Sequence, residues 1–403
     1  MFLPKENPIG YRTDALNTIK GIAPGKLPFA PRFDLWFNAH QYRGTLPDDL
    51  CNCTSTLEVA RKIGVGAHLV VPNYLKYDNP SQLYDRGIGL YRFPQIPYTY
   101  TLKRVERIVE SSGSTTKVTY KTPKGSITVE FGYNEDMRNA GISISHIKKY
   151  ILTDDEDFEP LMFLFEHIAV EPYYEGIERM IEETGEDGLV VARGNAPASP
   201  MQLIMHDLMD MTSFFYAQYD KPEKLQALAD AIGSFYEQIM PIAAANPGHV
   251  IMFGSNTDET ITPPPFFKEH LMPWISRMAD MAHAHGKFIL LHADGENQSL
   301  FGLYRQSGID ILEAVATAPM TKSTIHEVLE KSEGMTVWGG IPSVVLLPDS
   351  FSDSAFEAFM EETLDAVGTG PHFILGVSDT TPPDADFRRL IKIRDMIAHK
   401  EAF

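Results

Sequence analysis

The sequence predicts an α/β chain folded as a (β/α)8 TIM barrel with an antiparallel β-meander inserted into it. Three observations carry that prediction. Short apolar runs, each followed by a helix-like segment, recur eight times along the chain. Strict period-two alternation is confined to one stretch, about residues 102–132, where turn residues replace helices. A hydrophobic content of 43% in 403 residues is ordinary for a globular protein with a real core.

Taken in order, residues 1–28 form an irregular lead-in with a short helix near Asp14–Lys20. Pro28–Trp36 (PFAPRFDLW) reads as the first strand. Thr54–Ile63 is a helix with a Ser/Thr start and Glu58 in its first turn. Gly66–Tyr74 is the second buried strand. The pattern then changes: Leu102–Glu110 and Thr116–Phe131 alternate, with turns at Ser111–Ser114 and Pro123–Gly125, as a meander does. Helices return at Phe158–Ile168 and Tyr173–Thr184, and Gly188–Gly194 is a strand. A long helical region covers 199–246, broken near Asp210 and Lys221. Beyond it, strands His249–Gly254, Lys287–Leu291, Asp310–Val315, Met335–Trp338 and His372–Gly376 each precede a helix. A doubly wound open sheet is the alternative, but no GxGxxG follows the first strand. With no long linker, repeat or low-complexity tract, residues 1–403 are expected to form one barrel domain.

Composition limits the function classes. The net charge of −19 argues against nucleic acid and anionic membrane surfaces as partners. No apolar run of about 18 residues occurs, so no transmembrane helix is expected. The N-terminus lacks a signal-peptide pattern, and the two cysteines, Cys51 and Cys53, are too close for a favourable mutual disulfide. A cytoplasmic protein is expected, with a homodimer as one option for its assembly. The 17 methionines, clustered at Met201–Met205 and Met209–Met211, read first as adaptable core packing.

In a barrel, the C-terminal strand ends converge on one mouth. Here they supply Asp34, Asn73, Arg193 and Asn195, then Asn256, Asp258 and Glu259, then His292 and Asp294, then Glu313, Gly339, Gly340, Ser378 and Asp379. Nitrogen and oxygen donors from several strands would suit zinc or another divalent ion. Each residue also has a structural reading. His292 could be a core histidine bonded to a carbonyl, Asp294 before Gly295 a turn residue, and Asp258 and Asp379 caps or turns. Glu313 lies inside the apolar strand DILEAVA, where an unpaired carboxylate costs several kcal/mol, so it needs a partner. His206, His283 and His285 read as helix residues with structural roles. Phe33, Trp36 and Tyr74 could line an aromatic pocket or simply pack.

The order of these motifs resembles the uroporphyrinogen decarboxylase superfamily. The matching pieces are VVARGNAPASPMQLIM at 190–205, FGSNTDETITPPPFFKEHLMPW at 253–274, FILLHADG at 288–295, GIDILEA at 308–314, VWGGIPS at 337–343 and ILGVSDTTPPDA at 374–385. Two branches of that superfamily compete. The decarboxylases are cofactor-free and carry arginine-rich N-terminal segments and an aspartate after the second strand; this chain has only Arg32 in PFAPRFDLWFNAH, and Asn73. The cobalamin-dependent methyltransferases share the barrel, and the meander YKTPKGSITVEF (120–131) looks like that of methyltransferases acting on methoxylated aromatic compounds. Those enzymes bind zinc through His-x-Cys and a later cysteine. By resemblance the first ligand falls on His292, the second on Asp294 in place of cysteine, and the last near Val377, beside Ser378 and Asp379.

The resemblance therefore implies the substrate-activating component of a corrinoid-dependent O-demethylase. His292 would be a metal ligand or acid, with Asp294, Glu313 and Asp379 as carboxylate ligands and Asp258 and Asn256 as further catalytic candidates. Phe33, Trp36, Asn73, Tyr74 and Arg193 would bind a small methylated substrate. Histidine and carboxylates would leave a harder zinc than thiolates do, better suited to polarising an ether oxygen. The cobalamin would ride on a separate corrinoid protein, because no Asp-x-His-x-x-Gly motif occurs. A cofactor-free decarboxylase of a polycarboxylate, with His292 as proton donor, is the alternative, and a catalytically dead binding barrel is a third reading.

Overall fold

The computed structural model describes residues 10–71, 79–142, 144–195 and 197–400. Seven parallel strands form one curled sheet: Ala67–Val71, Gly188–Asn195, Val250–Phe253, Phe288–His292, Ile311–Val315, Thr336–Ile341 and Phe373–Val377, adjacent in that order. Residues 28–30 stand between the last strand and the first. Leu375 N–H donates to Pro28 O (2.8 Å), Ala30 N–H to Leu375 O (2.9 Å), and Gly66 N–H to Phe29 O (2.9 Å). The chain is thus a distorted barrel in which a short bridge replaces the eighth strand.

The strand expected over Pro28–Trp36 is the main correction. Only Phe29 makes a bridge, and a helix begins at Asp34. The cause is local: Pro28 and Pro31 carry no N–H, so only the two residues between them can donate to a neighbour. The expected helix at Phe158–Ile168 also divides. Its helix stops at Glu166, and Ile168–Pro172 pairs antiparallel with Tyr98–Leu102.

Alternation sorts the barrel's side chains. Leu189, Val191, Val250, Met252, Leu290, Ile311, Trp338 and Ile374 fill the inside with Ala30. Their neighbours Ile251, Ile289, Leu291, Leu312, Val337 and Leu375 face the surrounding helices. Because the sheet is buried on both faces, its strands are nearly all apolar. Helices Thr56–Ile63, Pro222–Ala244, Met272–Ala284, Asp353–Val367 and Arg388–Lys400 cover the outside. No helix among the described residues is long and apolar enough to cross a membrane.

The meander has four strands, Glu106–Ser112, Thr115–Thr122, Gly125–Gly132 and His146–Lys149, paired in sequence order. Its buried face is Val118, Tyr120, Ile127, Val129 and Phe131, the odd-even set that the alternation predicts. Asp85, fully buried, anchors it. Asp85 accepts from Tyr100 Oη (2.7 Å), Tyr120 Oη (2.9 Å), Arg92 Nε (3.2 Å) and Arg107 (2.5 Å). Burial first, then the Asp85 charge, holds both tyrosines far above the usual phenol range.

Candidate active site

The apolar filling of the barrel ends where the strands reach their C-terminal edge. His292 follows Leu290 on the inward face, Glu313 follows Ile311, and Arg193 follows Leu189 and Val191, each two residues on. Those steps put three polar side chains above the inner core.

Glu313 joins two imidazoles. Its Oε2 is 2.5 Å from His292 Nδ1 and its Oε1 2.9 Å from His68 Nε2. A carboxylate only accepts, so both ring nitrogens donate; the network assigns these tautomers. His68 packs at a tilt of 57° against Trp338, with 4.6 Å between ring centroids, and the Trp338 indole N–H donates to Ala30 O (3.2 Å). His292 and Glu313 are 7% and 2% exposed, so water hardly screens their attraction.

The other nitrogen of His292, Nε2, faces the mouth. Asp294 Oδ2 lies 3.8 Å from it and Asp379 Oδ1 4.0 Å. At those separations the contacts are electrostatic rather than hydrogen bonds. Arg32 closes the ring, donating from Nε to Asp34 (3.0 Å) and from its terminal NH1 to Asp379 (2.9 Å). Burial alone would lower the His292 pKa. Glu313, followed by Asp294, more than offsets it and raises the imidazolium to about 10. Glu313 shows the reverse balance: burial raises it, but His292 and His68 hold it well below the ordinary carboxylate range. Burial also opposes the charge on Arg32, and Asp379, Asp34 and Glu313 outweigh it.

The remaining expected residues fall in three places. Asp258 clamps two loops: Oδ1 accepts from Thr260 N–H (2.7 Å) and Oδ2 from Glu296 N–H (2.7 Å). A Cβ on Gly295 would come within 2.5 Å of Asp258 Oδ2, and Gly295 has φ +77°, so this position requires glycine. Asn256 is exposed and, like Asp379, has a left-handed backbone (φ 53° and 59°). Phe33 and Trp36 are buried against Phe387, with ring centroids 5.7 and 3.9 Å away. Asn73 and Tyr74 lie outside the described residues. Ser378 Oγ donates to Val315 O (2.8 Å).

Two participants escaped the sequence reading. His68 sits in GAHLVV as one polar residue in an apolar strand, the same signal that singled out Glu313. Arg32 was counted but placed within a strand; it turns into the mouth just before the helix at Asp34.

Among the described residues, no group of three or more His, Cys, Asp or Glu side chains is arranged to hold a metal ion. Both Glu313 oxygens are bonded to imidazoles, and Asp379 Oδ1 accepts from Arg32. A zinc ion held by His292 Nε2 and Asp379 would have to displace Arg32 from Asp379. The side chains form an ion-pair network with His292 Nε2 at its open end.

The overall fold is similar to that of a methyltransferase from Methanosarcina mazei, with a TM-score of 0.53 at 13% sequence identity over 97% of this chain and 99% of that one. A D-psicose 3-epimerase from Clostridium cellulolyticum H10 overlaps less, at a TM-score of 0.33 and 11% identity over 56% of this chain and 82% of that one. No family model matches the chain, and no curated protein does. The first likeness concerns the fold.

Proposed function

We propose that this chain is a methyltransferase that removes the methyl group of a methoxylated aromatic ether and passes it to the corrinoid of a separate protein. The observation that carries the reading is the His68–Glu313–His292 relay, which leaves the Nε2 proton of His292 facing the barrel mouth. The difficult part of ether demethylation is the leaving group. As the O–CH3 bond breaks, its electron pair stays on oxygen while the methyl goes to a nucleophile. A proton delivered to that oxygen turns a phenoxide into a phenol. A phenol has a pKa of roughly 10, and Glu313 brings His292 to about 10 as well, so the two are matched for proton transfer. Glu313 fixes the ring through Nδ1, and Asp294 and Asp379 stabilise the charge at Nε2 before transfer. When presented at the mouth by its carrier protein, the reduced corrinoid supplies the cobalt nucleophile.

The test is methyl transfer from methoxyarenes to free cob(I)alamin, followed by its absorbance change. Transfer by the intact chain, reduced about 10²–10⁴-fold in His292→Ala, is the expected result for loss of a general acid. No transfer from any methoxyarene contradicts the proposal.

Zinc activation of the same oxygen is a competing reading. It requires Asp379 to leave Arg32 and His292 to lose its proton. Activity that disappears on removal of a stoichiometric metal supports it; full activity of metal-free protein supports proton donation. A cofactor-free decarboxylase would use the same His292 proton on a carbanion, beside Arg32. Release of CO2 from a polycarboxylate without methyl transfer would select it.

A further inference from the structure

Asp294 lies 3.8 Å from His292 Nε2, too far for a hydrogen bond to hold it there. Its place is set instead by its backbone, and Asn297 holds that backbone. The Asn297 Nδ2 donates to three successive carbonyls, Ala293 O (3.1 Å), Asp294 O (3.1 Å) and Gly295 O (3.0 Å). The chain can fold back on itself so tightly because Gly295 takes φ +77°.

An amide serves three carbonyls only with its nitrogen turned toward them, and Tyr304 fixes that orientation. The Tyr304 hydroxyl, on the short helix Phe301–Gln306, donates to Asn297 Oδ1, which can only accept. With its single proton committed there, Tyr304 Oη accepts from the hydroxyl of Thr257, 3.0 Å away. Burial holds Tyr304 far above the usual phenol range, so it stays a donor. Asn297 is 4% exposed, and Tyr304 and Thr257 are fully buried, so water has little access to this chain of bonds. The bonds continue along the mouth. Asp258, next to Thr257, accepts from Glu296 N–H (2.7 Å), and buried Gln202 joins Ser255 O (2.9 Å) to Ala198 N–H (2.6 Å). The loops after three successive barrel strands are thereby tied together.

We infer that Tyr304 and Asn297 are positioning residues for the proposed demethylation: through the carbonyls of residues 293–295 they hold the Asp294 carboxylate beside His292 Nε2 while the ether oxygen approaches the same nitrogen. The inference rests on His292 being the acid. A misplacement of about 1 Å can cost roughly 10²-fold in rate. A charge already in place needs no rearrangement as the reaction proceeds.

The test is Tyr304→Phe, alone and in an Asp294→Asn chain, followed by methyl transfer from methoxyarenes to free cob(I)alamin and by amide exchange. Tyr304→Phe should lower kcat about tenfold or more and leave KM within about twofold, because Asp294 acts on the acid rather than on the bound ether. In the Asp294→Asn chain the same change should cost nothing further, since it acts through that carboxylate. The Glu296 N–H should exchange faster while the barrel strands do not. A kcat loss of equal size in both chains, a rise in KM alone, or an unchanged kcat beside a lowered unfolding temperature would reduce Tyr304 to packing and overturn the inference. If Tyr304→Phe does not fold, Thr257→Val loosens the same bonds from their far end. It should give a smaller kcat loss that also vanishes in the Asp294→Asn chain; an unchanged kcat there overturns the inference. If the intact chain transfers no methyl group, the demethylase reading fails by itself, and exchange decides the rest. Faster exchange confined to residues 293–297 in Tyr304→Phe keeps the role of Tyr304 in holding the loop, and uniform exchange removes it.

Discussion

Glu313 is the residue on which the site turns. It is buried inside a strand, and both its oxygens are committed to imidazoles from other strands. The sequence already required a partner for it, because DILEAVA offers no water. The partners' identity was less legible. His292 could be placed at a strand end because the apolar run before it is clear. His68 could not, since pairing across the barrel joins residues 245 positions apart. Glu313→Gln should lower the His292 pKa from about 10 toward its ordinary value near 6.5. An acid must be protonated to act, so the alkaline limb of the methyl-transfer pH profile should move to lower pH. The same variant should lose about 3–5 kcal/mol of stability if the imidazolium stays buried without its counter-charge. A pH–rate profile and a denaturation curve check both; an unmoved alkaline limb would mean that His292 does not donate the proton.

At the scale of elements, the bridge and the meander show how far pattern reading goes. Apolar runs identified all seven barrel strands, because burial on both faces leaves no other composition. The eighth position was misread as a strand through Trp36, since proline content limits pairing without changing hydrophobicity. The meander was legible from its alternation, yet its fourth strand, His146–Lys149, is short and polar and gave no such signal. Its attachment was invisible in sequence: Asp85 collects two tyrosines and two arginines from the loop, the Tyr98–Leu102 strand and the meander. Asp85→Ala leaves Arg107 without its carboxylate partner and the buried Tyr100 hydroxyl without its acceptor, while Tyr120 keeps only its bond to Tyr84 O (3.2 Å). A loss of about 3–5 kcal/mol is expected, with faster amide exchange across residues 106–132 than in the barrel strands. Uniform exchange rates would show that the meander does not depend on this anchor.

For the whole molecule, the buried relay sets a pH window for stability. His292 has a raised pKa, so its contribution is complete below about 6.5 and is lost as pH rises through about 10. Glu313 is depressed, so its contribution is present above its ordinary value near 4.3 and is lost as pH falls through its lower folded value. Both directions describe one ion pair. Stability should therefore be greatest between roughly pH 4.5 and 6.5 as far as this pair is concerned, and decline gradually on the alkaline side. Unfolding midpoints across pH test this, and His292→Gln should flatten the alkaline decline.

The account depends most directly on the charge state of His292. Nitrogen NMR of protein labelled at histidine, assigned by comparison with His292→Gln, reads it at the ring itself. The expected result is an imidazolium that persists at about pH 8 and titrates near 10. A His292 ring that loses its proton between about pH 6 and 7 would contradict it, because a neutral imidazole could not deliver the proton on which the proposed demethylation depends.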